Sequence, residues 1–145
     1  MTNQDSLKET SPSVHAHLGI IQSVIQLMAS NSTSSKAWCI TLVSAVLVIV
    51  ADKGKPNYAW LAVIPTALFL VLDAYYLALE KGFRDAYNAF IDKLHRGDLM
   101  PSDLYAVAPS GSMAKQFFRS LLSFAVWPFY VTLFVMIYLA KVLVL

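Results

Sequence analysis

Asp73 is the residue of this chain most suited to chemistry and least suited to its surroundings. It is the only charged side chain in the run Tyr58–Leu79. It lies about six residues, roughly 9 Å at the helical rise, inside the charged end of that run. An ionised carboxylate near the centre of a membrane span costs about 2.5–3.5 kcal/mol unless it is paired or wetted. Two readings follow. Asp73 accepts hydrogen bonds from Thr41 or Ser44 on the preceding apolar run, or meets Lys36 reaching in from its end. Alternatively it lines a water-filled path between helices or subunits. Both keep it away from lipid.

The other reactive residue types gather into nothing. His15 and His17 are two apart, about 200° around a helix, and cannot share a metal. Cys39 is alone inside an apolar run, so no internal disulfide is available. His95 lacks the arginine, separated from it by four to six residues, that the HEPN ribonuclease pattern requires. There is no phosphate-binding glycine loop, no nucleophile elbow and no second intramembrane acid, which argues against a proton-coupled transporter. The sequence therefore predicts no enzyme, no catalytic residue, no metal and no cofactor.

The elements that must position Asp73 are membrane helices. Of 145 residues 57% are hydrophobic and 14% charged. Ala37–Ala51, Tyr58–Leu79 and Leu121–Ala140 are almost free of charge, and about 20 helical residues cross a hydrocarbon core of about 30 Å. The expected fold is all-α, with spans at about 36–51, 58–79 and 120–141. Lys36 and Trp38, and later Tyr75 and Tyr76, are suited to anchor the interface. The polar turn Asp52–Asn57 makes the first two spans an antiparallel hairpin, and Pro65 is a candidate kink. The aromatic residues of the third span surround it, as on a peripheral, lipid-exposed helix.

Residues 1–13 form a polar, disordered tail, and 14–145 a single helical domain. The tail and the interrupted apolar run behind it do not resemble a cleavable signal. Ser13 caps an amphipathic helix, Val14–Ala29, whose face of Leu18, Ile21, Ile25 and Met28 suits assembly with another subunit. The weak helix formers Asn31–Ser35 mark a bend. Beyond Leu79 the helical pattern of the second span continues to Gly97. Its polar side carries Glu80–Arg84 and Asp92–Arg96 as i,i+4 pairs, with Gly82 as a weak point. The segment 80–119 is cytoplasmic, and its Asp98–Met113 part is an irregular linker that packs through Leu99, Leu104, Tyr105 and Val107. The formal charge is +2. Lys81, Arg84, Lys93, Arg96, Lys115 and Arg119 against only Lys53 and Lys55 put the N-terminus in the cytoplasm and the C-terminus outside the inner membrane. Acids balance these cations, so nucleic-acid binding is weakly supported and contact with acidic lipid is at least as well favoured.

Two segments carry a resemblance. The first comprises His17-Leu18, Ile21-Gln22-Ser23-Val24-Ile25, Met28-Ala29, Asn31-Ser32, Lys36, Trp38 and Thr41-Leu42-Val43-Ser44-Ala45. The second comprises Leu72-Asp73-Ala74-Tyr75-Tyr76-Leu77, Glu80, Phe83-Arg84 and Tyr87. Together they resemble a family of small bacterial membrane proteins found in antiviral loci, among them accessory membrane proteins of RADAR and of type VI-B CRISPR systems. The match covers Val14–Tyr87. Where the pattern has arginine, this chain has Leu27 before Met28, which removes a charge, and Lys81 after Glu80. The resemblance implies an oligomeric inner-membrane helper or effector of phage defence that perturbs or permeabilises the membrane. The rival expectation is a non-conducting anchor that recruits a soluble component of the defence system.

Overall fold

The computed structural model describes residues 7–143 and, among them, contains helices and no strands. A 42-residue helix, α1 (Pro12–Lys53), is followed by a 3₁₀ segment (Pro56–Ala62), then α2 (Val63–Arg96) and a short 3₁₀ turn (Pro101–Asp103). Two further helices, α3 (Met113–Leu121) and α4 (Trp127–Leu143), complete the chain. The helix α1 and the unit Pro56–Arg96 are both long and apolar enough to cross a membrane, and α4 is a shorter apolar helix.

The expected bend at Asn31–Ser35 is absent, and the separate Val14–Ala29 helix and first span are one helix. Tertiary packing overrides the weak propensity. The buried positions Val14, His17, Ile21, Ser32, Ser35, Cys39, Val43 and Val50, with the half-buried Ile25, Met28 and Val46 between them, follow one another at steps of three and four. That is one seam running the length of the helix, facing α2 and, toward its end, the 3₁₀ segment and α4. The hydroxyls of Thr33 and Ser35 donate to the carbonyls of Ala29 and Asn31, at 3.2 and 2.9 Å, so they do not compete for the helix's own amides. The helix also starts earlier than expected. Ser11 takes the cap position and Pro12 the first turn, where a missing N–H costs nothing. The expected tail is ordered from Leu7, which packs on Val14, Phe90, Leu94 and Leu99; residues 1–6 lie outside the described residues.

The return strand of the hairpin opens as a 3₁₀ segment rather than an α-helix. Pro65 sits in the first turn of α2 and interrupts no helical hydrogen bond, so no kink is required of it. The helix then runs unbroken to Gly97, whose φ of 73° ends it and turns the Asp98 N–H back to the Lys93 carbonyl at 3.0 Å.

Two cores result. In the apolar half, Cys39, Val43, Val50, Ala59 and Ala62 pack with Val126, Tyr130, Leu133 and Ile137 of α4 and the turn before it. At its end Lys141 lies 5.0 Å above the Trp60 ring. In the polar half, Val14, Phe90, Leu94 and Leu99 close the hairpin. The third expected span, 120–141, is instead the end of α3, a turn, and the 17-residue α4.

Candidate functional site

Asp73 is fully buried between α1 and α2, at 0% exposure. Its partners come from one turn of α1. Ser32 Oγ donates to Oδ1, the Lys36 ammonium lies 2.6 Å from Oδ2, and Lys36 Nζ also donates to Ser32 Oγ at 3.2 Å. Ser32 and Lys36 are four residues apart and so share a face of α1. The lysine stem reaches along that face and the serine fills the space beneath it. The charges of Asp73 and Lys36 answer each other, and the Ser32 hydroxyl is bonded on both sides, although Oδ2 faces the ammonium without an aligned hydrogen bond.

Of the two readings of Asp73, internal pairing is the one seen, with Lys36 rather than Thr41 or Ser44 as partner. Thr41 is exposed, its hydroxyl donating to its own helix at Ala37 (2.9 Å), and Ser44 is exposed toward α4. Both lie one to three turns further along α1 than the level at which Asp73 crosses it. Lys36 is consequently a partner of Asp73 more than an interface anchor, while Trp38 stays 63% exposed. Tyr75 is exposed and Tyr76 half-buried, their rings 6.1 Å apart. Tyr130 is not peripheral. It is buried, and its hydroxyl donates to the Phe69 carbonyl at 2.9 Å, tying α4 to α2.

In the polar half the expected assembly face turns inward. Ile21 is buried, and Leu18, Ile25 and Met28 are half-buried, because α2 continues alongside and covers them within one chain. Beside them Gln22, Ile25, Gln26, Arg84, Tyr87 and Asn88 line a groove of about 460 Å³, across which Gln22 Nε2 donates to Tyr87 Oη at 3.3 Å. Arg84 and Glu80 form the expected pair at 2.8 Å. Arg96 turns instead to Asp98, at 3.8 Å, leaving the expected Asp92 pairing unmade. Several residues that carry the resemblance thus meet in two places: Ser32, Lys36 and Asp73 at the clamp, and Gln22, Arg84 and Tyr87 at the groove.

Two contacts have no counterpart in the sequence reading. His17 is buried on the seam, its ring 4.3 Å from Phe90, and Nδ1 accepts the Tyr105 N–H at 2.9 Å. Burial holds its pKa below the usual histidine range, with Asp103 opposing, so the neutral ring serves as acceptor. Tyr105 reaches it with a φ of 62°, a conformation uncommon outside glycine. The signal was the phase of Val14, His17 and Ile21. Gly82 is the second. It is buried, and a Cβ there would lie 2.7 Å from that of Pro109 and 3.0 Å from Gln116 Oε1. It is the place where the linker crosses α2, with Ser110 N donating to the Gly82 carbonyl at 3.0 Å. Small residues at steps of four, Ala74, Ala78 and Gly82, were the signal for such an approach.

The helix α3 docks on α2 through its polar side. Gln116 Nε2 donates to Asp85 Oδ2 at 2.9 Å and to the Ser110 carbonyl at 3.1 Å, and Ser120 is buried. Among the described residues no three His, Cys, Asp or Glu side chains gather as a metal site. The arrangement at Asp73 can fix two helices in register; its carboxylate, sealed from solvent, has no access to a substrate. Comparison with protein-family models, with curated proteins and with solved structures gave no match.

Proposed function

We propose that this chain is a non-catalytic membrane anchor that carries a rigid cytoplasmic stalk for a soluble partner in an antiviral locus. The apolar half of the α1–α2 hairpin and α4 cross the inner membrane, and the polar half stands outside it as the stalk. The charge bias of the short connections favours a cytoplasmic N-terminus and an external C-terminus. At about 63 Å, α1 is twice the thickness of the hydrocarbon core, so roughly half of it projects. The defence setting follows from the resemblance at Val14–Tyr87.

The observation that carries the anchor reading is the closed triangle of Asp73, Lys36 and Ser32. A residue lining a conducting path is wetted; this one has no exposure and finds its counter-charge within its own chain. The second reading, a homo-oligomeric effector that permeabilises the membrane, is favoured by a groove of about 380 Å³ between α1 and α4. Ser44 and Thr132 line it among apolar side chains, and it has room for side chains of another helix. Reconstituted into dye-loaded liposomes, the purified chain is expected to release no dye and to bind its soluble partner through the Gln22–Tyr87 groove. Dye release that Asp73→Ala abolishes, with assembly mass unchanged, would overturn the anchor in favour of the effector.

A further inference from the structure

Three cations converge where α2 leaves its apolar half. Lys81 stands two residues past the second apolar run, after Glu80, and Lys115 and Arg119 come from successive turns of α3. With Ser112, Gln116 and Asp85 they line a cavity of about 410 Å³. Among the described residues none of the three makes an ion pair, whereas Lys36, Arg84, Lys93 and Arg96 all do. The one acid present, Asp85, is engaged by Gln116 Nε2 at 2.9 Å. Burial and then the nearby Arg119 push the Lys81 ammonium below its usual range, with Glu80 only partly opposing. Like charges held together in a partly desolvated cavity leave an electrostatic demand that a bound anion answers.

The surroundings define the anion. The polar residues Gln116 and Ser120 face α2, so α3 turns its apolar side outward. Phe118 is 65%, Leu122 81% and Phe124 83% exposed, beside the exposed cations Lys115 and Arg119. A short helix with an outward apolar face and flanking cations lies in the interface between headgroups and acyl chains. We infer that Lys81, Lys115 and Arg119 form a binding site for the phosphate group of an anionic phospholipid of the cytoplasmic leaflet, whose acyl chains lie along Phe118, Leu122 and Phe124. This rests on the membrane reading above and adds to it a specific lipid contact. The shared chemistry is a phosphate ester, and a lipid headgroup supplies both the anion and the apolar part that the exposed side chains meet.

The test is native mass spectrometry of the detergent-solubilised full chain titrated with dioleoylphosphatidylglycerol, dioleoylphosphatidylcholine or inorganic phosphate. Each cation near an acidic lipid surface contributes about fivefold in affinity. The triple variant Lys81→Gln/Lys115→Gln/Arg119→Gln is therefore expected to lose about 100-fold for phosphatidylglycerol. Lys53→Gln/Lys55→Gln, at the opposite end of the hairpin, is expected to lose nothing. The single variant Lys115→Glu, at an exposed position, keeps the test independent of folding and is expected to weaken binding at least fivefold. Equal retention of the two lipids by the wild-type chain, or undiminished phosphatidylglycerol binding by the triple variant, overturns the site. Binding of inorganic phosphate without lipid preference overturns the lipid as its source. Alkaline carbonate extraction separates the failures. A chain released from membranes refutes the membrane reading itself, whereas a retained chain without lipid preference refutes only the site.

Discussion

Replacing Lys36 by methionine removes the cation paired with Asp73 while keeping the length and apolar character of the stem. Asp73 is then left fully buried without a counter-charge, accepting the Ser32 hydroxyl. Breaking a buried pair from one side costs about 3–5 kcal/mol. The retained Ser32 contact places Lys36→Met at the low end, about 3 kcal/mol. The opposite change costs less. Lys36 keeps 22% exposure, so in Asp73→Asn its flexible stem can swing the ammonium toward water, and the loss is about 1–2 kcal/mol. Removing both charges in Lys36→Met/Asp73→Leu leaves no buried ion, and stability returns to within about 1 kcal/mol of the wild type. Equilibrium unfolding of the three variants in mixed micelles, followed by helical circular dichroism, gives the order. A Lys36→Met loss below about 0.5 kcal/mol, or a double variant no more stable than Lys36→Met alone, would refute the clamp.

Gly82→Ala adds a good helix former worth about 1 kcal/mol but drives a Cβ to 2.7 Å from Pro109. The clash costs about 1–3 kcal/mol and wins, which limited proteolysis will register as faster cleavage within Asp98–Met113. Protonating His17 removes the acceptor for the Tyr105 N–H and charges a buried ring. Its folded pKa is depressed from 6.5, so the unfolded chain binds the proton first. The His17 contribution is complete above about pH 6.5 and falls as the pH drops from there toward the lower folded value; a melting temperature that holds steady from pH 7.5 to 5 contradicts this. Tyr130→Phe loses the 2.9 Å hydrogen bond to the Phe69 carbonyl and should cost about 0.5–1.5 kcal/mol in the same micellar unfolding.

The helical class, the hairpin, the passage of the second apolar run into a polar extension and the Glu80–Arg84 pair were legible because each rests on a local pattern. Charge-free runs, a polar turn and an i,i+4 spacing need no knowledge of what lies opposite. The errors share the converse origin. Asn31–Ser35 has poor helix propensity, and only the presence of α2 opposite, accepting Ser32 and burying Ser35, makes it helical. Thr41 and Ser44 are chemically suitable donors for Asp73, but the register of the hairpin, set by the turn at Gly54 and the 3₁₀ segment after it, brings Ser32 and Lys36 to that level instead. The face of Leu18, Ile21, Ile25 and Met28 read as unpartnered because its cover, the far end of α2, is some 60 residues away in sequence.

The seam of α1 also decides which part of the molecule is free to respond to a signal. It runs without a break from Val14 to Val50, through the boundary between the polar and apolar halves, and the Asp73 clamp sits near that boundary. A helix held in register on both sides of a buried ion pair has no hinge there, because rotating either half would drag Lys36 off its carboxylate. The third helix is attached differently. It meets α2 through polar contacts at Gln116, while Ser120 Oγ and Gln116 Oε1 are buried without hydrogen-bond partners, a desolvation cost that weakens the docked state. It is also joined on both sides by connections without α-helix, Asp98–Ser112 and Leu122–Val126. The rigid hairpin therefore acts as the frame, and α3 is an attached element whose docking leaves buried polar atoms unpaired. Because α3 carries two of the three cations at the cavity beside Lys81, a phosphate bound there would hold it down where its own polar groups are least satisfied.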